Sequence, residues 1–288
     1  MKIAAIVILY HPGVSLLSNL NSYYNGVDVL YIFDNTEEKS PVVHQLSVLP
    51  KVVYLHDGLN EGIAKRLNQG MEKAIENKCQ WVLTMDQDSY FSTGTFSQYL
   101  QCFNAFKPIK NVAMFGPVYG RTGEGNSTNC QAAEIHELIT SGTLLHVDLY
   151  SKTGPFDEAL FIDSVDHDYC IRSIINGYSL MHFSNIYLLH QLGSIVRRAS
   201  IKSLFLVKKT KAIHSPLRCY YMYRNLIYLE KKYAGQHVSL LQSIRETAFS
   251  NITNCVFYGR DTVRIAQYLI AAQSDFKKGI MGKCTHRF

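Results

Sequence analysis

The stretch QWVLTMDQDSYFSTGTF, residues 80–96, carries the features from which the fold is predicted. Its apolar run WVLTM has the length and composition of a buried strand. Asp86 and Asp88 follow this run at once, with only Gln87 between them. Alternate residues of an extended chain point to the same side, so the two carboxylates can hold one divalent cation. The other interpretation is a solvated acidic turn that caps a helix beginning near Ser92.

Further apolar runs on both sides of this stretch predict a sheet with helices between its strands. The strands are predicted at 2–9, 27–33, 51–56 and 81–85, and the helices at 13–24 and 60–78. In the second helix Ile63, Leu67, Met71 and Ala74 recur at helical spacing, after Asn60 as the candidate N-cap. Short Val- and Ile-rich strands that alternate with helices indicate an α/β fold with a Rossmann-like, mostly parallel sheet.

The pattern becomes looser after residue 92. The predicted elements are a helix at 92–103, a strand at 111–119, a polar glycine-rich loop at 120–129, a return to the sheet at 133–154 that ends in a short helix, and helices at 163–180 and from 215 onward. We therefore divide the chain into an α/β domain at 1–192 and a basic, mainly helical C-terminal extension at 193–288.

Composition excludes several classes of protein. The chain has 288 residues, of which 47% are hydrophobic and 18% charged, which is typical of a folded globular protein and not of a disordered or fibrous one. No apolar run reaches the about 18 to 20 residues that cross a bilayer. The first residues, MKIAAIVILYHPG, lack a cleavage site and are predicted as a strand, not a signal peptide. The seven cysteines contain no Cys-x-x-Cys pair, which predicts free thiols in a reducing cytoplasm.

The net charge of +6 is unevenly distributed along the chain. It is −7 over residues 1–192, +9 over 193–232 and +4 over 233–288. The basic, tyrosine-rich segment can lie on an anionic membrane surface, or it can be a solvated helical face that packs its tyrosines inward. Nucleic acid is disfavoured as a partner because the acidic body would repel a long polyanion.

Polar residues follow each of the first four predicted strands. Open sheets of this kind bind ligands at the carboxyl ends of their strands. The segments at these ends are Tyr10–Pro12, Asp34–Asn35, Asp57–Gly58 and Asp86–Asp88. Their acidic character suits a cation, or hydrogen bonds from a base and a ribose, better than it suits bare phosphates.

A second group of carboxylates lies in FIDSVDHDYCIR, at the start of a predicted helix. Asp163 and Asp166 are three residues apart and can share one helix face, where a cation, a helix N-terminus or a raised pKa must offset their like charges. A carboxylate in this setting is a candidate general base. In the other interpretation Asp163 caps the helix, and the remaining carboxylates, including Asp168, are solvated.

Seven segments taken together resemble one family, in order and over most of the chain. They are AAIVILYHP, YIFDNT, NEGIAKRLNQG, WVLTMDQDS, the long run from LITSGTLLHVDLYSKTGPFDEAL to FIDSVDHDYCIRSIINGY, LLHQLG, and SPLRCYYMYRNLIYLEKKY. The chain is similar to glycosyltransferase family 2 enzymes of the GT-A fold, and within them to the bacterial rhamnosyltransferase-like branch. The resemblance implies a GT-A catalytic domain that binds a nucleotide sugar.

The resemblance also implies roles for individual residues. The DXD pair Asp86 and Asp88, with His190, would hold Mg²⁺ or Mn²⁺, and Asp166 would be the catalytic base, with Asp163 and Asp168 as rivals. The nucleotide-binding residues would be Tyr10, Pro12, Asp34, Asn35, Asn60, Gly62, Asn68 and Gln87. Residues placed at the diphosphate or the acceptor would be Gly142, Arg197, Arg198 and Arg224.

Three positions depart from the family pattern or allow another interpretation. Val165 replaces the glutamate of the family's Glu-Asp dyad, which keeps the rivals of Asp166 open. Leu67 stands where many relatives have an arginine that touches the nucleotide, and Arg66 is one place earlier. Without the resemblance, a histidine packed in the core is favoured over a metal ligand as the interpretation of His190.

The resemblance implies a metal-dependent, inverting glycosyltransferase. It would move a sugar, such as rhamnose from dTDP-rhamnose, to a bacterial surface polysaccharide, lipopolysaccharide or lipid-linked glycan. The protein is expected in the cytoplasm, in peripheral contact with the inner face of the cell membrane. One alternative is a nucleotidyltransferase, although LYHPGVS lacks the basic phosphate loop of that class. The other is a non-catalytic adaptor at the membrane surface.

Overall fold

The computed structural model describes residues 1–46, 48–107, 110–120, 129–190, 195–198, 208–236 and 239–288. The chain forms two compact units. The first comprises Met1–Phe156 and Tyr169–Gln191, and the second comprises Asp157–Asp168 and Leu192–Phe288. The second unit therefore contains an inserted segment, Asp157–Asp168, that the sequence-based division at 192 assigns to the first domain. Hydrogen bonds from the helix Pro216–Lys232 hold this segment.

A nine-stranded sheet forms the centre of the first unit. Its strands are β1 (Ile3–Leu9), β2 (Val29–Asp34), β3 (Val52–His56), β4 (Trp81–Asp86), β5 (Ser89–Phe91), β6 (Val112–Tyr119), β7 (Ala132–Ile135), β8 (Thr143–His146) and β9 (Ser179–His190). They lie in the order β3-β2-β1-β4-β8-β6-β9-β5, and β7 pairs with β9. The four strands from β3 to β4 are parallel, which brings their carboxyl ends to one edge. This arrangement confirms the predicted Rossmann-like α/β fold.

Helices cover the sheet, and their apolar faces form the core with it. The helices that begin in residues 1–168 are α1 (Leu16–Tyr24), α2 (Val43–Leu46), α3 (Gly62–Glu76), α4 (Thr95–Ala105), α5 (Val147–Thr153) and α6 (Val165–Ile175). β1 and β2 are almost entirely buried, as their continuous apolar sequences predict. Of the predicted helical stripe, Leu67, Met71 and Ala74 are buried. Burial of this stripe is the main reason that the segment is helical.

The second unit is mainly helical. It contains the antiparallel strands β10 (Ile195–Arg198) and β11 (Lys209–Ala212), followed by α7 (Pro216–Lys232), α8 (Ser239–Tyr258) and α9 (Thr262–Lys278). The tyrosines of α7 pack inward, since Tyr220 and Tyr221 are buried against Tyr268 of α9. No helix among the described residues is long and apolar enough to span a bilayer.

Some predicted boundaries need correction. The helix predicted at 163–180 ends earlier, because Gly177 has a φ of 77° that stops it, and Ser179 then begins β9. Asn60 is not the N-cap of α3, which is Glu61; the Asn60 Oδ1 atom instead accepts the backbone N–H of Gly62 at 3.1 Å. Most of the predicted loop at 120–129 lies outside the described residues.

The prediction for the cysteines is wrong at two positions. Cys102 on α4 forms a disulfide with Cys130, 28 residues later in the chain. The other five cysteines are free thiols, as expected. Spacing alone did not reveal the pair, because the approach of the two residues depends on how the chain returns to the sheet.

Candidate functional site

Asp86, Asp88 and His190 meet at the edge of the sheet through strand pairing. β4 ends at Asp86, the chain turns directly into β5, and β5 pairs antiparallel with the end of β9. This register places Ser89 opposite His190, although they are 101 residues apart. One ligand atom from each of the three residues lies within 4.8 Å of the others. Two carboxylates and an imidazole are thereby gathered at one point.

The geometry of this cluster fits a divalent cation. The Nδ1 atom of His190 lies 3.4 Å from Asp88 Oδ1 and 2.8 Å from the Ser89 hydroxyl oxygen, which restricts the rotation of the ring. The side chains of His190 and Asp88 are 38% and 40% exposed, so His190 is not a packed core histidine. Ligands of one Mg²⁺ lie about 2.1 Å from it, so neighbouring ligands of its octahedron are about 3 Å apart. Small side-chain movements suffice to bring these atoms to that spacing.

The loop between β7 and β8 supports the end of β4. The Ser141 hydroxyl accepts a hydrogen bond from the Asp86 backbone N–H at 3.1 Å. Gly142 has a φ of 74°, and a Cβ atom there would approach Leu188 and Pro117 to 2.9 Å. Glycine is therefore required by both backbone conformation and packing. The structure thus places Gly142 beside the end of β4 and gives it a structural reason to be glycine.

Gln87 connects the turn between β4 and β5 to the loop after β1. Its side-chain Oε1 accepts the Tyr10 backbone N–H at 2.9 Å, and its Nε2 donates to the Tyr10 carbonyl at 3.0 Å. Asn19 donates to the Gln87 carbonyl at 3.0 Å. Since both ends of the amide are engaged by Tyr10, Gln87 holds the two loops together.

A cleft of about 570 Å³ opens at the carboxyl ends of β1 and β2. It is lined by His11, Pro12, Thr36, Glu37, Glu38, Lys39, Ser40 and Pro41. The neighbouring Tyr10 is 46% exposed, as suits a ring that can stack on a ligand. Sequence reasoning predicted Pro12 but missed the wall formed by residues 36–41. Their turn-forming composition directly after Asp34-Asn35 was the available signal.

Asp34 shapes this cleft from inside the protein. Its carboxylate is fully buried and accepts hydrogen bonds from the backbone N–H groups of Thr36 and Ser40, at 2.9 and 3.3 Å. Tyr54 donates a third, at 2.5 Å. Burial and then this carboxylate raise the pKa of Tyr54, so its hydroxyl stays a donor. These contacts fix the loop that forms the cleft wall.

Asn35 and Arg66 form a second internal connection, between β2 and α3. The Asn35 amide donates to the Gly62 carbonyl and accepts from Glu61 N–H and from Arg66 Nε, at 3.1, 3.3 and 2.8 Å. Arg66 is 4% exposed and also donates to both Asp57 oxygens. The resemblance alone gave Arg66 no role, and the structure makes it the centre of this connection.

Asn68 lies inside the first unit. It is 5% exposed, and its amide donates to the Phe156 carbonyl and accepts from Phe156 N–H and the Tyr150 hydroxyl. Both ends of the Asn68 amide are therefore engaged by residues 150 and 156 of the same unit.

The three rival carboxylates differ in their partners. Asp163 accepts from Arg218 Nε at 2.6 Å. Asp168 is fully buried and accepts from Lys232 Nζ at 2.7 Å and from the Tyr233 hydroxyl at 2.6 Å. Asp166, in the first turn of α6, accepts from its neighbouring His167 N–H, and within the described residues no basic side chain pairs with it. Asp166 thus differs from its two rivals, each of which accepts a hydrogen bond from a basic side chain.

The arginines expected at a diphosphate have different environments. Arg224 is fully buried, lies 5.1 Å from the rings of both Tyr220 and Tyr221, and donates to the Gly282 carbonyl at 2.7 Å. The guanidinium of Arg224 is therefore engaged inside the second unit. Arg198 donates to the Tyr258 carbonyl at 3.2 Å, and Arg197 is exposed.

Comparison with solved structures identifies the architecture. TarS 1-349 of S. aureus superimposes with a TM-score of 0.59 at 15% identity, over 97% of this chain and 81% of TarS. The fold is GT-A. The same fragment in complex with UDP-GlcNAc gives a TM-score of 0.57 at 15% identity, over 97% and 82% of the two chains. GalNAc-T7 with UDP, GalNAc and Mn²⁺, which also has the GT-A fold, gives 0.54 at 10% identity, over 86% of this chain and 54% of its own.

Sequence comparison points in the same direction. A protein of Shigella flexneri described as dTDP-rhamnosyl transferase RfbF is 27% identical over 301 aligned positions, which cover 98% of this chain and 97% of the relative. No family model matches the chain. The GT-A fold and this likeness together support a glycosyltransferase that uses a nucleotide sugar.

Proposed function

We propose that this GT-A chain is a metal-dependent, inverting glycosyltransferase that moves rhamnose from dTDP-rhamnose to a bacterial surface polysaccharide, such as lipopolysaccharide, or its lipid-linked precursor. The observation that carries the proposal is the meeting of Asp86, Asp88 and His190 at the strand edge that also bears the cleft. The choice of rhamnose and of the thymidine nucleotide rests on the likeness to RfbF.

Each group of residues has a separate role in the proposed reaction. Asp86, Asp88 and His190 would hold Mg²⁺ or Mn²⁺, which when bound offsets the charge that builds on the leaving diphosphate. The loops anchored by Asp34 and Gln87 would form the cleft for the nucleoside. Asp166 would accept the proton of the acceptor hydroxyl as that oxygen attacks the anomeric carbon. One displacement inverts the anomeric centre, so the reaction requires no covalent sugar-enzyme intermediate.

The proposal includes the cytoplasmic compartment and peripheral contact with the inner face of the membrane. The exposed cations of β10 and the start of β11, Arg197 and Lys209, with the neighbouring Lys208, support contact with anionic lipid. Two other cations of the basic segment are engaged in ion pairs. Arg218 pairs with Asp163, and Lys232 pairs with Asp157 and Asp168.

A ligand-binding panel followed by a transfer assay tests the proposal. Thermal shifts are measured with dTDP, UDP, GDP and their sugars, with and without Mn²⁺, on the wild-type protein and on Asp88→Asn. We expect a Mn²⁺-dependent shift with the thymidine ligands that Asp88→Asn loses. NMR of the product from dTDP-β-L-rhamnose should show an α-linked rhamnoside. A protein that binds no nucleotide at any metal concentration would be an adaptor, and pyrophosphate release from a nucleoside triphosphate would indicate a nucleotidyltransferase.

A further inference from the structure

The segment directly before the candidate base has an unusual backbone. Phe161, Asp163 and Ser164 have φ values of 63°, 71° and 61°, in the left-handed region that side chains other than glycine seldom adopt. Each such residue costs free energy and persists only where surrounding contacts enforce it. α6 begins at the next residue, Val165, and carries Asp166 in its first turn. The direction in which Asp166 leaves the backbone therefore depends on whatever holds this segment.

Asn225 of α7 makes the contacts that hold it. Its side-chain Nδ2 donates to the carbonyls of Leu160, Ile162 and Asp163, at 3.0, 2.9 and 2.9 Å. The residue is fully buried, so water does not compete for these three carbonyls. One amide group thus fixes the backbone on both sides of Phe161 and at Asp163.

Arg224 fixes the orientation of that amide. The Asn225 Oδ1 atom accepts from Arg224 Nε and Nη2, at 3.1 and 3.0 Å. Because a guanidinium only donates hydrogen bonds, the oxygen must face Arg224 and the NH₂ group must face the three carbonyls. The guanidinium is itself held by the rings of Tyr220 and Tyr221 and by the Gly282 carbonyl. The donor group of Asn225 is therefore fixed within the second unit.

A second residue of the same helix holds the side chain of Asp163. Arg218 lies seven residues before Asn225, which puts both on one face of α7. Its Nε donates to Asp163 Oδ2 at 2.6 Å, while Asn225 Nδ2 reaches the Asp163 carbonyl. Asp163 is thereby held at backbone and side chain from one helix, three residues before Asp166.

We propose that Asn225, together with Arg218, forms a pair of positioning residues that sets the orientation of the Asp166 carboxylate by enforcing the left-handed conformations of Phe161, Asp163 and Ser164. The inference rests on the proposed function, because Asp166 is the base only in that reaction. Neither residue is required to touch donor, acceptor or metal. Loss of either should therefore affect proton transfer without affecting donor binding.

The experiment compares Asn225→Asp and Arg218→Gln with the wild type. Asp at 225 keeps the size of the side chain but has only acceptors, which face three carbonyl oxygens. We expect kcat to fall about tenfold or more in each variant, with the donor KM and the Mn²⁺-dependent affinity for dTDP within about twofold of wild type. The acid limb of the kcat–pH profile should also move, since the altered segment changes the surroundings of Asp166.

The matched control is Tyr223→Phe, which removes one hydrogen bond from the same helix, to Gln273 Oε1 at 2.8 Å, and keeps wild-type kcat. Arg218 is 45% exposed, so Arg218→Gln gives a folded protein even if Asn225→Asp does not. A kcat within twofold of wild type and an unmoved pH profile in the folded variants overturn the inference. So does a donor KM that rises in step with the loss of kcat. A wild-type protein that transfers no sugar overturns the proposed function as well.

Discussion

Arg66 and Asp57 form an ion pair with two hydrogen bonds, Nη2 to Oδ1 at 2.6 Å and Nη1 to Oδ2 at 3.0 Å. The other N–H groups of the guanidinium reach Asn35, the Leu59 carbonyl and Gln69. All five donors of a buried arginine are thus satisfied. The pair joins the loops after β2 and β3 to α3, at the edge of the sheet that bears the cleft.

Loss of this ion pair should weaken donor binding. We expect Arg66→Gln to raise the donor KM about fivefold to tenfold with little change in kcat, because Asn35 and the loop at 57–59 lose their common anchor. Stability should fall by about 1–3 kcal/mol, since buried partners remain unsatisfied. Steady-state kinetics and urea unfolding measure both effects. Lys65→Gln is the control, since it breaks the partly exposed Lys65–Glu61 pair on the same helix. An unchanged donor KM in Arg66→Gln contradicts this role.

Removal of the metal ligands should abolish metal-dependent nucleotide binding. Asp88→Asn is expected to lower the affinity for Mn²⁺ in the presence of dTDP at least about a hundredfold, and His190→Ala about tenfold, because a neutral nitrogen ligand contributes less to a hard cation than a carboxylate. Isothermal titration calorimetry measures these affinities, and EDTA should reproduce the loss in the wild type. The exposed carboxylate of Asp148 on α5 provides the control, as Asp148→Asn. Equal Mn²⁺ affinity in Asp88→Asn and the control would exclude the site.

Replacing each of the three rival carboxylates with Asn should affect activity and stability in three different ways. Asp166→Asn is expected to lose about 10² to 10⁴ in kcat and to keep its stability and nucleotide affinity, as for removal of a general base. Asp163→Asn should lose less activity, since its pairing with Arg218 affects the base only indirectly. Asp168→Asn should mainly destabilise the protein, because Lys232 and Tyr233 lose a buried partner. Single-turnover rates and melting curves distinguish the three, and full activity in Asp166→Asn rules it out as the base.

Lys232 should control the acid stability of the second unit. Burial favours a raised pKa for Asp157, but hydrogen bonds from Lys232 and Tyr228 outweigh it and hold that pKa below its ordinary value. A depressed folded-state pKa contributes stability above the unfolded value of about 3.8–3.9, and this contribution is lost as pH falls through the folded pKa. In Lys232→Gln the pKa of Asp157 is no longer held down. The free energy of unfolding of the variant should therefore fall less than that of the wild type as the pH drops below about 4.

The same substitution has an effect at neutral pH. Lys232 also neutralises the fully buried Asp168, so Lys232→Gln should cost about 3 kcal/mol at pH 7. Urea unfolding at pH 7, 4 and 3 measures both the loss of stability at neutral pH and the further loss in acid. Lys278→Gln, which changes an exposed lysine at the end of α9, is the control. A stability at pH 7 equal to that of the control would show that the pair contributes nothing.

The disulfide can be tested by counting the cysteines that react with a thiol reagent. Of the seven cysteines, five should react with a thiol reagent in the denatured, unreduced protein, and all seven after reduction. The bridge closes a loop of 28 residues, so its loss in Cys102→Ser should lower stability by about 3 kcal/mol. The control is Cys284→Ser, which removes a free, half-buried thiol. Seven reactive thiols in protein purified without reductant would support the reducing cytoplasm predicted from the sequence.

The sequence by itself determined the strands β1 to β4, the helices α1 and α3 and the positions of the acidic loops, but not α2, β5, β10 or β11. Continuous apolar runs predict β1, β2 and β4 because strands buried on both faces require them, and the carboxylates follow those runs directly. The sequence did not determine which carboxylate is available, because that depends on partners such as Arg218 and Lys232, 55 and 64 residues away. It also did not show that Asp34 and Asn68 are engaged inside the protein.

Only the tertiary structure decided which distant residues meet. His190 joins Asp88 because the register of β5 with β9 places it opposite Ser89. Asn225 reaches Asp163 because α7 packs beside a segment 62 residues earlier in the chain. The physical reason is common to both cases. Periodicity reports how each segment buries its own apolar face, whereas a polar pair across many residues depends on the register and packing of the whole chain.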